Sequence, residues 1–352
     1  MKSLERVVSA LARTGYDRIP VRHLGTPEID EVLRRHFHVE TQEELLERVG
    51  DDFRGVDAHY IGPKLETFPD GSWEGLNGER YKNIPFGDGA YPEAVYLPFA
   101  EVEHVSELAR HRFPEASHFD YSRIPRLCER YRDYALIYGN AGVLDFINGL
   151  GRCRGIEKVF FDIGTENPVF LELVERRFRF EYEKAERVLK AAKGRVLILY
   201  CGEDLGCQLG PIISPQAFDR LFADKYRRLF ALARQYGART MMHSCGSVRT
   251  FLPRLIELGL NILDVVQVAA QGMELVKLQQ DFGDALAFCG SMCVQSILPT
   301  CTVEEVRREV DRRLRLFAEG GLILGPSHAI QVRTPLENIL AMYRQAGSLK
   351  DN

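Results

Sequence analysis

Nowhere in the chain do about 18 apolar residues follow one another, the length a membrane-spanning helix needs, so no membrane span is expected. Charge of one sign is scarce too. Lys and Arg number 46 against 50 Asp and Glu, leaving a formal net charge of −4, which gives no electrostatic ground for a nucleic-acid or anionic-membrane partner. Basic residues that do gather, as in EEVRREVDRRLR (304–315), read as a solvated helix face. Cysteine pairs of the C-x-x-C type are missing. The eight cysteines stand at 128, 153, 201, 207, 245, 289, 293 and 301, several inside apolar runs, so no disulfide scaffold is expected. The N-terminal stretch MKSLERVVSALARTGYDRIP has mixed charge and no long apolar core, unlike a signal peptide. A reduced, cytoplasmic protein is the expectation. Neither a G-x-G-x-x-G after a first strand nor a P-loop occurs, which weakens an open, doubly wound sheet.

What is present is a regular alternation. With 352 residues, 45% of them hydrophobic, the chain can bury a large core. Short apolar runs at 134–140, 195–204, 238–247, 262–268, 285–291 and 322–328 read as strands, and amphipathic stretches between them read as helices. The stretch 214–237 offers Ser214 as N-cap and Pro215 at the first helical position. The stretch 302–321 opens on a capping box, Thr302 with Glu305, and stops at glycine. Strand alternating with helix predicts a parallel sheet with right-handed crossovers. The predicted fold is α/β, a single (β/α)8 TIM-type barrel over 1–352. Residues 1–125 form an N-terminal elaboration with the first strands, DRIPV (17–21) among them, and 126–345 form the regular β/α part. The segment 60–100, rich in Gly, Pro and aromatics, lacks periodicity and reads as a functional loop covering substrate, with plain surface elaboration as the other reading.

The reactive residues fall at the predicted strands' C-terminal ends: Asn140, Glu203 and Asp204, His243 and Cys245, Gln267, Cys289 and His328. In a barrel these ends converge on one mouth, where active sites are built. Residues i and i+2 of a strand share a face, so His243 and Cys245 in H-S-C-G-S can aim at one point. Imidazole and thiolate are favoured zinc ligands, and a zinc site needs a third. Taken alone, the pair fits a buried histidine beside an apolar cysteine better than a metal site. His328, in G-P-S-H, is the leading third ligand, with a plain hydrogen-bonded mouth histidine as the other reading. Glu203 is open to four roles: fourth ligand, a carboxylate that orients a ligand, general acid/base, or helix cap. Cys289 and Cys293 compete less well as ligands; Cys289 lies in the apolar run LAFCG.

Four blocks in order carry a resemblance: CGEDLGCQLGPIISPQAF (201–218), HSCGSVRTFLPRLIELGLNILDVVQ (243–267), FCGSMCVQSIL (288–298) and GLILGPSHAIQVRTPLENILAMY (321–343). Together they resemble the uroporphyrinogen decarboxylase-like superfamily over about 125–345, reaching back through DFRGVDAHYIGP (52–63). The chain lacks the F-R-Q-A-G-R type of N-terminal segment that true decarboxylases use for their acidic substrate. It looks closer to the cobamide-dependent, coenzyme M-type methyltransferases, which hold zinc with an H-x-C pair and a later cysteine. The resemblance therefore implies His243, Cys245 and His328 as metal ligands, with His328 where those enzymes have cysteine. It implies zinc as cofactor and a corrinoid (cobamide) on a partner protein. A methyl group would pass between that corrinoid and a small donor or acceptor. Imidazole in place of thiolate removes one negative charge, making the metal a stronger Lewis acid and its bound thiolate a poorer nucleophile. That suits an alcohol or methyl ether as well as a thiol. In this reading Glu203 and Asp204 orient or deprotonate substrate, and Asn140 and Gln267 contact it. The alternative is a metal-free uroporphyrinogen decarboxylase-type lyase, with Arg22 and Arg333 as candidate cations for substrate carboxylates. A non-catalytic corrinoid- or metal-binding module is a third.

Overall fold

The computed structural model describes residues 1–350. Its strands, in chain order, are β1 (Phe53–Gly55), β2 (His59–Tyr60), β3 (Trp73–Glu74), β4 (Arg80–Phe86), β5 (Gly89–Tyr96), β6 (Phe119–Asp120), β7 (Ala135–Leu144), β8 (Ile198–Gly202), β9 (Arg239–His243), β10 (Ile262–Asp264), β11 (Ala287–Met292) and β12 (Leu322–Pro326). Seven of them form one parallel sheet in the order β1-β7-β8-β9-β10-β11-β12. The curl of this sheet brings its edges to a shared segment at Pro20–Arg22. Val21 bridges Leu324 in parallel, and its carbonyl accepts the Asp52 N–H at 3.0 Å. This eighth, very short strand completes a TIM-type ring, and it falls within one residue of the predicted DRIPV strand.

Alternation along each strand builds two cores. Residues pointing outward pack against the helices. Those pointing inward, Ile137, Ile198, Met241, Ile262, Ala287 and Ile323, fill the barrel, with Val7 and Leu11 of the helix Ser3–Ala12 packed among them. A step of two along the same inward rows replaces these apolar groups with Tyr200, His243, Asp264 and Cys289. The barrel interior is thus apolar in its depth and polar towards the C-terminal strand ends.

Ser214 caps Pro215–Leu221 as expected, its hydroxyl accepting the Ala217 N–H at 3.1 Å. The single helix predicted for 214–237 is two, however. Phe222, at φ −122° and ψ −32°, breaks it before Ala223–Gln235. The break lets Phe222 stack on Phe146 with ring centroids 5.1 Å apart. Helix Val303–Leu316 carries the predicted Thr302–Glu305 capping box. Thr302→Ala should cost about 1 kcal/mol in a urea melt; no change in midpoint would deny the cap its role.

The 60–100 segment is not the aperiodic loop expected. It contains the antiparallel sheet β3-β4-β5, whose β4–β5 hairpin turns through Gly87 and Asp88. The farther half of β4 is exposed, so neither face carries the apolar alternation that marks a half-buried strand. At the hairpin tip, Asp88 pairs with Arg333 at 2.7 Å, and the Ala90 N–H reaches the Glu28 carboxylate at 3.4 Å. Arg333 lies in the connection after β12, and Glu28 in the first turn of helix Pro27–Phe37, which follows the Pro20–Arg22 segment. No helix among the described residues is long and apolar enough to cross a membrane.

Candidate metal centre

β9 ends at His243, and the chain turns away within three residues. Gly246 makes the turn possible at φ +75°; a Cβ there would lie 2.5 Å from the Gly206 backbone. Cys245 follows His243 by two, and its Sγ stands 3.4 Å from His243 Nε2. β12 brings His328 to the same place, its ring centroid 6.1 Å from that of His243. One ligand atom from each of His243, Cys245 and His328 lies within 4.8 Å of the others. The three grade outward, from buried His243 through half-buried Cys245 to exposed His328, so the cluster opens to solvent on one side.

Asp204 adjoins the cluster. One oxygen accepts the Cys245 N–H at 2.8 Å and lies 3.6 Å from His243 Nε2. The other accepts from the Asn148 amide at 2.9 Å. Gln267 holds the same turn from the other side, its oxygen accepting the Gly246 N–H at 2.8 Å. The structure therefore brings together His243, Cys245, His328, Asp204 and Gln267.

Glu203 and Asn140 are placed differently. Glu203 is fully buried. Its two oxygens accept the Phe146 and Ile147 N–H groups, each at 2.9 Å, and the Tyr226 hydroxyl at 3.0 Å. It caps helix Phe146–Arg154 from outside. Burial first, then the nearby Asp145, pushes its carboxyl up to about 8 against the pull of those donors. Asn140 is exposed and occupied within the irregular end of β7, where its oxygen accepts the Gly142 N–H at 2.7 Å. Cys289 and Cys293 do not join the ligand group; Cys289 is buried in the barrel.

The predicted residues omit a layer beneath the cluster. Asp264, paired directly with His243 in the β9–β10 register, faces His243 Nδ1 across 3.3 Å. It also accepts from the Tyr200 hydroxyl and, at 3.1 Å, from Arg22 Nη1. Burial would raise this carboxyl, but Arg22 and the His243 hydrogen bond hold it well below the usual carboxylate range. Burial likewise opposes charge on His243, yet hydrogen bonds to Asp264 and Cys245 hold its pKa well above an ordinary imidazole's. On His328, partial desolvation of the ring at the mouth and then the neighbouring His243 act together to lower it. A lone acid in ILDVVQV, two residues after an inward Ile262, was the signal for Asp264. β10 stops at Asp264, short of the predicted 268, so the strand end lies at Asp264 and not at Gln267.

Residues 200–348, which contain His243, Cys245 and His328, match the family model of uroporphyrinogen decarboxylase (URO-D). No curated protein gives a significant match to the chain. Among solved structures, a methyltransferase from Methanosarcina mazei is 16% identical with a TM-score of 0.63, covering 99% of this chain and 98% of that one. A B12-independent methionine synthase from Shewanella sp. W3-18-1 is 12% identical with a TM-score of 0.42, covering 91% of this chain and 85% of that one. At 16% identity the Methanosarcina likeness speaks for the fold.

Proposed function

We propose that the chain is a zinc-dependent methyltransferase that moves a methyl group between a small thiol, alcohol or methyl ether and a corrinoid carried by a partner protein. The observation that carries this reading is the convergence of His243, Cys245 and His328 at the mouth of a URO-D-type barrel. The donor set fits the metal. Two ligands of a tetrahedral zinc, bound at about 2.0 Å through nitrogen and 2.3 Å through sulfur, lie about 3.5 Å apart. Cys245 Sγ and His243 Nε2 are 3.4 Å apart. Three protein ligands and an open solvent side match a catalytic site. The Methanosarcina relative is itself described as a methyltransferase.

Bound zinc would supply Lewis acidity that makes a thiol or hydroxyl proton easier to remove. Everything else falls to the chain. Asp204, partly exposed and 3.6 Å from His243 Nε2, is the carboxylate placed to take that proton. Glu203 serves by anchoring the first turn of Phe146–Arg154, from which Asn148 holds Asp204. Gln267, besides fixing the Cys245 turn, points its amide nitrogen towards Gln295 at 3.5 Å, where it can meet a polar substrate. Asn140 can contribute only if a substrate extends over the end of β7. The β4–β5 hairpin, tied to the rim by Asp88–Arg333, is positioned to exclude water from the mouth.

The metal-free lyase reading needs cations free for several carboxylates. Arg22 is committed to Asp264 inside the barrel, and Arg333 is exposed and paired with Asp88. The test is methyl transfer. Zinc-loaded protein incubated with methylcobalamin should demethylate it in the presence of at least one thiol or alcohol acceptor, read as the change in corrinoid absorbance. Asp204→Asn should slow the reaction about 10²–10⁴-fold while retaining zinc, as loss of a positioned base does. Zinc-loaded protein that is inert towards methylcobalamin and towards methyl thiols and ethers with reduced cobalamin, yet decarboxylates a porphyrinogen, would reverse the reading.

A further inference from the structure

We infer that Asp264, locked in place by Arg22 and Tyr200, is a positioning residue that commits His243 to bind metal through Nε2. The inference rests on the zinc reading of the cluster and adds residues to it.

Asp264 is 1% exposed, at the end of β10 and level with His243 on β9. Both of its oxygens are occupied. Oδ1 takes Arg22 Nη1 at 3.1 Å; Oδ2 takes the Tyr200 hydroxyl and faces His243 Nδ1 at 3.3 Å. Arg22 lies against the Tyr200 ring, 4.7 Å from its centroid, so the three side chains brace one another from three different strands.

A carboxylate paired with a guanidinium has no proton to give. It can only accept, so the hydrogen between it and His243 belongs to Nδ1. The other ring nitrogen, Nε2, is the one turned towards Cys245 Sγ, 3.4 Å away. One ring orientation is thereby set before any metal arrives: Nδ1 keeps its hydrogen towards Asp264, and Nε2 is the nitrogen left for the metal. A histidine ligand backed by a carboxylate is a more basic and better-oriented donor. Arg22 also balances the buried charge of Asp264, whose burial alone would be costly.

A plain structural role for this cluster would predict something else. Packing alone needs no ionised group in the barrel, and an ion pair of Arg22 with Asp264 could sit anywhere along the inward rows. It sits directly behind the most buried of the three ligands, touching the nitrogen that the metal does not need.

The test compares zinc affinity, by competition with a chromophoric chelator, in the wild type, Asp264→Asn and Tyr200→Phe. Thermal melts of the metal-free proteins establish that each is folded. Asp264→Asn should bind zinc about 10–100-fold more weakly, the usual effect of losing such a partner, and Tyr200→Phe several-fold more weakly. The cobalt-substituted variants should keep the thiolate-to-cobalt absorption of Cys245, showing that the loss is confined to the His243 side. Folded Asp264→Asn with wild-type zinc affinity overturns the inference. Should that variant fail to fold, unchanged affinity in Tyr200→Phe overturns it instead. Both outcomes leave the zinc reading standing, whereas a wild type that binds no zinc removes that reading and the inference with it.

Discussion

Cys245→Ser should lose zinc affinity by at least about 100-fold, more than any other single change at the mouth. The thiolate is the one ligand of the three that bears charge in its metal-binding form, and a serine hydroxyl neither ionises readily nor matches its softness. Gly246 and the two hydrogen bonds, Cys245 N–H to Asp204 and Gly246 N–H to Gln267, fix the turn that presents the thiolate, and the neighbouring oxygen donor, the Asp204 carboxylate, is already held by the Cys245 N–H and Asn148. His328→Ala should cost less, because His328 is exposed and water can take the vacated place. His243→Ala should fall near the cysteine variant, since it also strands Asp264. Chelator competition on the folded variants gives the ranking, and equal losses for Cys245→Ser and His328→Ala would contradict it.

The second large effect concerns stability, not metal. The Glu203 carboxyl is pushed from the ordinary glutamate range up to about 8 in the folded protein. A raised carboxyl means that the native state holds its proton more tightly than the unfolded chain does. The contribution of this group is then complete below about pH 4.5 and is lost as pH rises to about 8, at roughly 1.4 kcal/mol per pH unit within that window. Glu203→Gln cannot ionise and should flatten this slope. The amide has only one oxygen for the two helix N–H donors, so near pH 5 the variant should be less stable by about 1–3 kcal/mol. The gap should shrink or reverse by pH 8. Parallel stability curves for the two proteins, measured by urea unfolding across pH 5–8, would show that Glu203 stays ionised in the folded state.

What the residues disclosed ahead of the structure follows from periodicity. Parallel barrel strands are buried on both faces, so β8, β9, β11 and β12 announce themselves as apolar runs; β9 stops at His243, short of the predicted 247, and Cys245 reaches the same point through the turn at Gly246. His328 was legible because it ends such a run. The β4–β5 hairpin was not, because strands solvated on both faces carry no alternation. Asp264 was missed because β10 is only Ile262–Asp264, and reading it four residues too long shifted the mouth to Gln267. Glu203 was visible as a strand-end carboxylate, but its burial against Phe146, Ile147 and Tyr226 depends on contacts 23 to 57 residues away, which no local pattern encodes. The break at Phe222 is likewise a packing effect, invisible in a stretch whose propensities favour one helix.

The account stands on a metal held by three side chains. Zinc content, measured on wild-type protein purified without added zinc and beside His243→Ala, Cys245→Ser and His328→Ala, tests it most directly. The prediction is about one zinc per chain in the wild type, with stoichiometric zinc absent from His243→Ala and Cys245→Ser and depleted in His328→Ala. A wild type that holds no zinc even after zinc is supplied, or that keeps it when His243 and Cys245 are replaced, would contradict the account.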